Sequence, residues 1–179
     1  MNTHARSIIV LALLLTFDAS IAGAAQHAAM PPGMTHEDHM SQMRKEDDLK
    51  KRGAAAMGFD QDKVTHHFRV TTQGGVIQVD VRDPSDHTNR EAIRLHLRQI
   101  AAAFAEGNFE TPFATHAEVP PGVAALQRLT TMVTYSFEET TTGGRVRIVT
   151  TNREALAAIH VFLRYQIQEH RTGDPLTVK

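Results

Sequence analysis

The fold is decided by TTQGGVIQVDV at residues 71–81, which recurs in shorter form as TTGGRVRIV at residues 141–149. Each copy is followed by a second shared stretch, NREAI at residues 89–93 and NREAL at residues 152–156. Around each pair of glycines, apolar and polar residues alternate as they do in half-buried strands. After each NREA the apolar residues recur at helical spacing instead. The chain is therefore predicted to contain two copies of one structural unit.

Each unit is predicted to consist of two strands and a helix. The strands are predicted at residues 64–70 and 76–81 in the first copy and at residues 133–138 and 145–149 in the second. The glycine pairs are interpreted as hairpin turns, because glycine readily adopts the positive φ of a tight connection. Thr88 or Asn89 would cap a helix that runs to about Ala105, and Asn152 opens one that reaches about His170.

One such unit cannot cover its own sheet, so the two units are expected to pair. We expect an α+β fold in which the duplicated β-β-α units form a four-stranded antiparallel sheet with two main helices on one face. The domain would span residues 57–179, with repeats at about 64–105 and 133–170. A proline-containing connection at residues 107–122 and a short helix starting at Val123 would join them. The open sheet face would carry His67, Arg69, Gln78, Asp80, Thr134, Ser136, Arg145 and Arg147.

Residues 1–24 have the pattern of a secretory signal peptide. Arg6 precedes an apolar run from Ile8 to Phe17, and the small residues ending at Ala24 would form the cleavage site. That run is shorter than a membrane-spanning helix requires. The chain has no cysteine and a net charge of −1, which excludes disulfides and gives no support to nucleic-acid binding. We expect a periplasmic protein without a membrane span in its mature form.

Residues 25–56 are predicted to be a flexible arm, because large aliphatic side chains are few and a charged patch follows residue 43. The patch itself would form at most a short exposed helix. Histidine and methionine are concentrated in the arm, at His27, Met30, Met34, His36, His39, Met40 and Met43. Thioether sulfur and imidazole together suit Cu(I) and Ag(I), and spacings of three or four residues would let one helical turn present both ligands.

The tract at residues 27–43 resembles the His-x-x-Met and His-x-x-x-Met elements of periplasmic copper- and silver-binding proteins from bacterial metal-resistance systems. That resemblance implies a copper or silver ion as the cofactor. Binding would strengthen above about pH 6, as the imidazoles lose their protons. A plain linker that happens to be rich in alanine, methionine and histidine is the alternative interpretation of the arm.

Three histidines of the body stand out when the two repeats are aligned. His66 falls opposite Tyr135, His96 falls opposite Ile159, and His160 falls opposite Leu97. Each histidine therefore occupies a position at the core or its edge where the other repeat has a bulkier apolar or aromatic residue. A buried imidazole needs a hydrogen-bond partner or a metal. We expect either three separately satisfied histidines or a shared metal or haem site.

The body contains no motif that indicates catalysis. It has no nucleophile elbow, phosphate-binding loop or dinucleotide fingerprint. HAEVPP at residues 116–121 resembles the start of a zinc deaminase motif, but that chemistry needs a paired Cys-x-x-Cys. MGFD at residues 57–60, HHF at 66–68, VPPGV at 119–123 and AIHVFLR at 158–164 resemble a group of small exported bacterial proteins, some labelled aspartate carbamoyltransferase. The label does not fit, because the Ser-x-Arg-Thr-Arg segment of carbamoyltransferases is absent.

The sequence therefore predicts a non-enzymatic periplasmic protein that handles copper or silver. The methionines and histidines of the arm would capture the metal ion, and His66, His96 and His160 would offer a second site. The alternative is a structural or interaction module without a metal role. Its partner would be a second copy of the chain or another periplasmic protein, and it would pair through the open sheet face.

Overall fold

A computed structural model describes residues 33–178. The predicted signal peptide and two of the predicted metal ligands, His27 and Met30, lie outside the described residues. No helix within residues 33–178 combines the length and the apolar character that crossing a membrane requires.

The sheet has four antiparallel strands, as the repeat predicts. They are β1 (Val64–Thr71), β2 (Gly74–Val81), β3 (Val133–Glu139) and β4 (Gly143–Thr150). Their order is β1-β2-β4-β3, so the two hairpins meet along β2 and β4. His66 pairs with Val79 in the first hairpin as Tyr135 pairs with Ile148 in the second. Aligning the two repeats at Gly74 and Gly143 therefore also aligns equivalent positions of their strands.

The glycine pairs lie in the strands rather than in the turns where the sequence placed them. Gly74 pairs with Thr71, so the two-residue loop is Thr72-Gln73. A Cβ atom on Gly143 would lie 2.1 Å from the carbonyl oxygen of Val79, across the junction of β2 and β4. At Gly74 and Gly143 the backbones of β2 and β4 come too close for a side chain, which explains why glycine is needed at these two positions.

Two long helices, α2 (His87–Ala105) and α5 (Arg153–Glu169), cover one face of the sheet. Asn152 caps α5 as predicted, since its side chain accepts from the backbone N–H groups of Glu154 and Ala155. The predicted cap of α2 is wrong by two or three residues. Asp86 caps α2 by accepting from the N–H of Asn89 at 3.0 Å, so the helix starts before the NREA stretch.

The core lies between the sheet and these two helices. Its most completely buried residues are Val64, Val70, Val79, Ile93, Leu97, Phe104, Leu126, Val146, Ile148, Ile159, Phe162 and Leu163. Burial of each large side chain contributes about 1.5–3 kcal/mol. The aromatic rings of Phe104 and Phe109 stack at 4.3 Å, which anchors the connection between the repeats to the core.

The connection between the repeats contains two helices, α3 (Glu110–His116) and α4 (Val123–Arg128). The helix predicted after Val123 is present, but α3 was predicted as an irregular segment. Pro112 does not prevent α3, because a proline in the first turn of a helix removes no helical hydrogen bond. The side chain of Asn108 accepts from the N–H of Glu110 at 2.9 Å and so satisfies one of the free donors.

A 22-residue helix, α1 (His36–Met57), replaces most of the predicted flexible arm. Thr35 and Asp38 form a capping box at its start, and Gly58 ends it in the left-handed conformation. The sequence indicated only a short charged helix, since composition alone does not register a capping box. The final turns of α1 pack against α3, where Gly53 is buried.

Candidate functional site: a histidine-lined cleft beneath α1

A cleft of about 430 Å³ separates α1 from the body of the protein. Polar contacts hold the helix over it: Lys50 pairs with Asp62 at 2.8 Å, and Glu46 pairs with Arg171. Ion pairs this exposed are worth little individually. Over the cleft itself, α1 is therefore held by weak polar contacts, whereas its final turns pack against α3.

Three histidines from different elements form a cluster at this cleft: His66 and His170 line it, and His116 contacts the ring of His170. His66 projects inward from β1, His116 is the last residue of α3, and His170 follows α5 directly. The ring of His170 contacts both of the others, with centroid distances of 5.5 Å to His66 and 5.1 Å to His116. The cluster thus joins the first repeat, the connection and the end of the second repeat.

Behind the histidines lies a smaller cavity of about 60 Å³ with a largely apolar lining. Three of the residues that line it carry a buried side-chain atom with no hydrogen-bond partner among the described residues: His66 Nε2, His116 Nδ1 and Gln166 Nε2. Leaving a buried polar atom unpartnered costs about 1–3 kcal/mol. A water molecule or another ligand in this cavity would satisfy such atoms.

One hydrogen bond defines the orientation of His116. Its Nε2 lies 3.0 Å from Oε1 of Gln166, inside the core. With a carbonyl oxygen as the acceptor, Nε2 carries the proton, and Nδ1 is left with a lone pair. His116 is one of the residues that line the small cavity, and its Nδ1 is buried without a hydrogen-bond partner among the described residues.

Burial keeps the histidine cluster neutral. It lowers the pKa of His66 to about 4, helped by the neighbouring imidazoles of His96 and His67. It also lowers the pKa of His96 to about 4. The pKa of His170 falls well below its usual value through burial and its two histidine neighbours. Near neutral pH these imidazoles therefore have free lone pairs rather than positive charges.

The structure brings together two of the three predicted body histidines. His66 and His96 both border the small cavity and both contact the ring of Phe59, at centroid distances of 6.1 and 5.6 Å. His160 does not join them, because its Nε2 lies 2.9 Å from the backbone carbonyl of Thr71. The expected set of His66, His96 and His160 thus does not converge.

The structure places His170 against His66 and His116, whereas His160 lies elsewhere. Neither His116 nor His170 was predicted from the sequence as a site residue. His116 was dismissed with the deaminase-like stretch, and His170 was treated as a helix end. A signal for His170 was present, because it follows Gln166 and Ile167 by four and three residues on the inward stripe of α5. Nothing comparable marks His116, whose position depends on where α3 packs.

The described methionines and histidines of the predicted arm lie at the start of α1. Met34 precedes the helix cap, and His36, His39, Met40 and Met43 follow at helical spacing. Those four positions fall on one side of the helix over two turns. Met40 and Met43 are 38% and 48% exposed, so their sulfur atoms are accessible from solvent.

The open face of the sheet carries polar groups that pair with one another. Asp80 accepts from Gln78, Thr140 and Thr142 at 2.6–2.8 Å. Glu138 accepts from Arg145 and Arg147 on the adjacent strand at 2.6 and 3.0 Å. These contacts give both carboxylates of the face hydrogen-bond partners within the chain.

No family model matches this chain, and no curated protein or solved structure is significantly similar to it. Within residues 33–178, no group of three or more histidine, cysteine, aspartate or glutamate side chains is arranged to hold a metal ion. Methionine sulfur and pairs of imidazoles remain as the possible metal donors of this region.

Proposed function

We propose that this protein binds a soft monovalent metal ion, Cu(I) or Ag(I), as a non-enzymatic metal-handling protein of the periplasm. The single observation that carries the proposal is the shared face of His36, His39, Met40 and Met43 on α1. Thioethers favour Cu(I) and Ag(I) over zinc or magnesium, and imidazole is a compatible second donor.

Helix α1 strengthens the proposal because its first turns are ordered by the capping box of Thr35 and Asp38. A preformed helix places donors four residues apart on adjacent turns. The entropy cost of arranging them at the moment of metal binding is then smaller. Glu37 and Asp38 in the first turn add negative charge close to the site, which attracts a cation.

The alternative function, pairing through the open sheet face, has less support. Polar side chains on that face already satisfy one another, as Asp80 and Glu138 illustrate. A surface that pairs strongly with another protein usually has an apolar centre. Pairing of two chains through this face is therefore tested only if the chain does not bind metal.

The experiment is a calorimetric titration of Ag(I) into the full chain and a four-residue variant. That variant, His36→Gln, His39→Gln, Met40→Leu and Met43→Leu, removes the donors of α1 and keeps good helix formers. A matched control, His87→Gln with Met132→Leu, alters one exposed histidine and one exposed methionine elsewhere.

We expect the four-residue variant to lose the binding event that the control retains. If all three proteins bind the same number of Ag(I) ions per chain, the proposed role of α1 is wrong. Absence of Ag(I) binding from the unaltered chain would refute the metal function as a whole. In that case, sedimentation of Arg147→Glu would ask whether the open face holds two copies together.

A further inference from the structure

We propose that the small cavity bordered by His66, His116 and Met57 is a second, buried site for the same soft monovalent ion. Only the choice of Cu(I) and Ag(I) as the metal rests on the proposed function. The site itself follows from side chains that border one cavity. It is distinct from the exposed face formed by His36, His39, Met40 and Met43 and shares no donor with that face.

The first argument is the pair of free imidazole nitrogens. His66 Nε2 and His116 Nδ1 are buried, and neither has a hydrogen-bond partner among residues 33–178. Both histidines line the same cavity. The ring of His170 stacks on that of His66, meets that of His116 edge to face, and borders the cavity too. A bound cation would supply the partner that each nitrogen lacks.

The second argument is the support behind His116. A histidine that binds a metal through one nitrogen typically donates its other N–H to an oxygen, which fixes the ring and its tautomer. His116 has this arrangement, because its Nε2 faces Oε1 of Gln166 at 3.0 Å. Gln166 is itself buried, at 4% exposure. The imidazole is thus held with its lone pair on Nδ1 before any ligand arrives.

The third argument is the sulfur donor. Met57, the last residue of α1, lines both the cleft and the small cavity. Its helix ends there, because Gly58 is in the left-handed conformation and donates its N–H to the carbonyl of Ala54. A thioether beside neutral imidazoles is a soft donor set, and it selects Cu(I) or Ag(I).

The fourth argument concerns charge. Among the described residues, no aspartate or glutamate lines the small cavity, so a bound cation would keep its full charge inside the core. Burying an uncompensated charge is costly, and the cost rises steeply with the charge. Divalent ions that depend on carboxylate ligands are therefore unsuited to this lining. A monovalent ion is the fitting occupant.

Water is the competing occupant. A volume of about 60 Å³ has room for a few water molecules, each needing about 10–15 Å³ of such space. Ordered water would satisfy the same three atoms without any metal. The test therefore has to observe the histidine rings and the methionine sulfur directly.

The test uses the full chain carrying the four α1 substitutions, so that surface donors do not interfere. Silver nitrate is added while NMR follows the methionine methyl groups and the ring nitrogens of the histidines. We expect the signals of Met57, His66 and His116 to shift together until saturation. The signals of Met132 and His160, which lie outside the cavity, should stay unchanged.

A second variant tests the support behind His116. Gln166→Leu keeps the size of the side chain and removes the oxygen that orients the ring. Loss of such a supporting group weakens metal binding about 10–100-fold. The matched control, Met132→Leu, should bind Ag(I) at the buried site as tightly as the parent. Equal affinity in Gln166→Leu would contradict the arrangement proposed for His116.

The two proposals fail in different ways. If Met57, His66 and His116 do not shift at saturating silver, the buried site is wrong, and binding at α1 can still stand. If they shift while the unaltered chain and the α1 variant bind equal amounts of silver, the role of α1 is wrong and the buried site stands. Shifts confined to other histidines would also overturn the buried site.

Discussion

Arg52 on α1 donates a hydrogen bond from Nε to the backbone carbonyl of Thr115 at 2.9 Å. Thr115 directly precedes His116, so this contact ties the helix over the cleft to the segment that positions the buried histidine. The guanidinium is charged, and a hydrogen bond from a charged donor is stronger than one between neutral groups. The bond is also part-buried, whereas the ion pairs of α1 are exposed to solvent.

Replacement of Arg52 should loosen the helix without unfolding the body. We expect Arg52→Met to raise amide hydrogen exchange along residues 45–57 and to lower the free energy of unfolding by about 1 kcal/mol. Arg44→Met, on an exposed part of the same helix, is the matched control. Unchanged exchange in Arg52→Met would show that the contact does not hold α1 in place.

Stability should fall in acid because of the buried histidines. Burial lowers the pKa of His96 to about 4 in the folded protein, whereas an unfolded histidine titrates near pH 6.5. Between these values the unfolded chain binds the proton and the folded chain does not, so the free energy of unfolding decreases as the pH falls. For His96 alone the loss amounts to about 2–3 kcal/mol.

His96→Leu removes that contribution. We expect urea denaturation of this variant at about pH 7 and about pH 4.5 to show a smaller decrease in stability than the unaltered chain. His87→Gln, which replaces an exposed histidine, gives the comparison. The explanation would be wrong if His96→Leu and the unaltered chain lost equal stability over this range.

The junction between the repeats should be intolerant of any side chain at its glycines. Gly143→Ala would place a Cβ atom 2.1 Å from the carbonyl oxygen of Val79, and backbone cannot move as a side chain can. We expect a loss of about 3 kcal/mol in the free energy of unfolding, measured by chemical denaturation. Thr141→Ala, at the exposed turn before it, should be nearly neutral. A Gly143→Ala protein as stable as Thr141→Ala would show that the repeats are not so closely joined.

The repeat made the sheet and its two main helices predictable, because the same strand and helix signals occur twice. The alignment of the two repeats agrees with the structure, since His66 and Tyr135 occupy matching positions opposite Val79 and Ile148. Both side chains carry a buried polar atom that has no partner among residues 33–178. The glycines were assigned to turns because local sequence gives no sign of the close contact between β2 and β4.

The candidate site was less predictable, since it forms where three separate segments converge. His66 could be identified from strand alternation within one repeat. His116 and His170 could not be joined to it, because α3 and the end of α5 meet β1 only through long-range packing. Met57 is positioned by α1, which starts at the capping box of Thr35 and Asp38. The helix then continues through polar and small residues whose composition did not predict it.

The central claim is that the chain binds a soft monovalent ion through thioether and imidazole together. X-ray absorption at the copper edge tests it most directly, on the full chain loaded with Cu(I) under reducing conditions and desalted. We predict sulfur and imidazole nitrogen together in the first coordination shell, with less sulfur when Met40 and Met43 are replaced by leucine. A shell of nitrogen and oxygen alone, or a protein that retains no copper, would contradict the account.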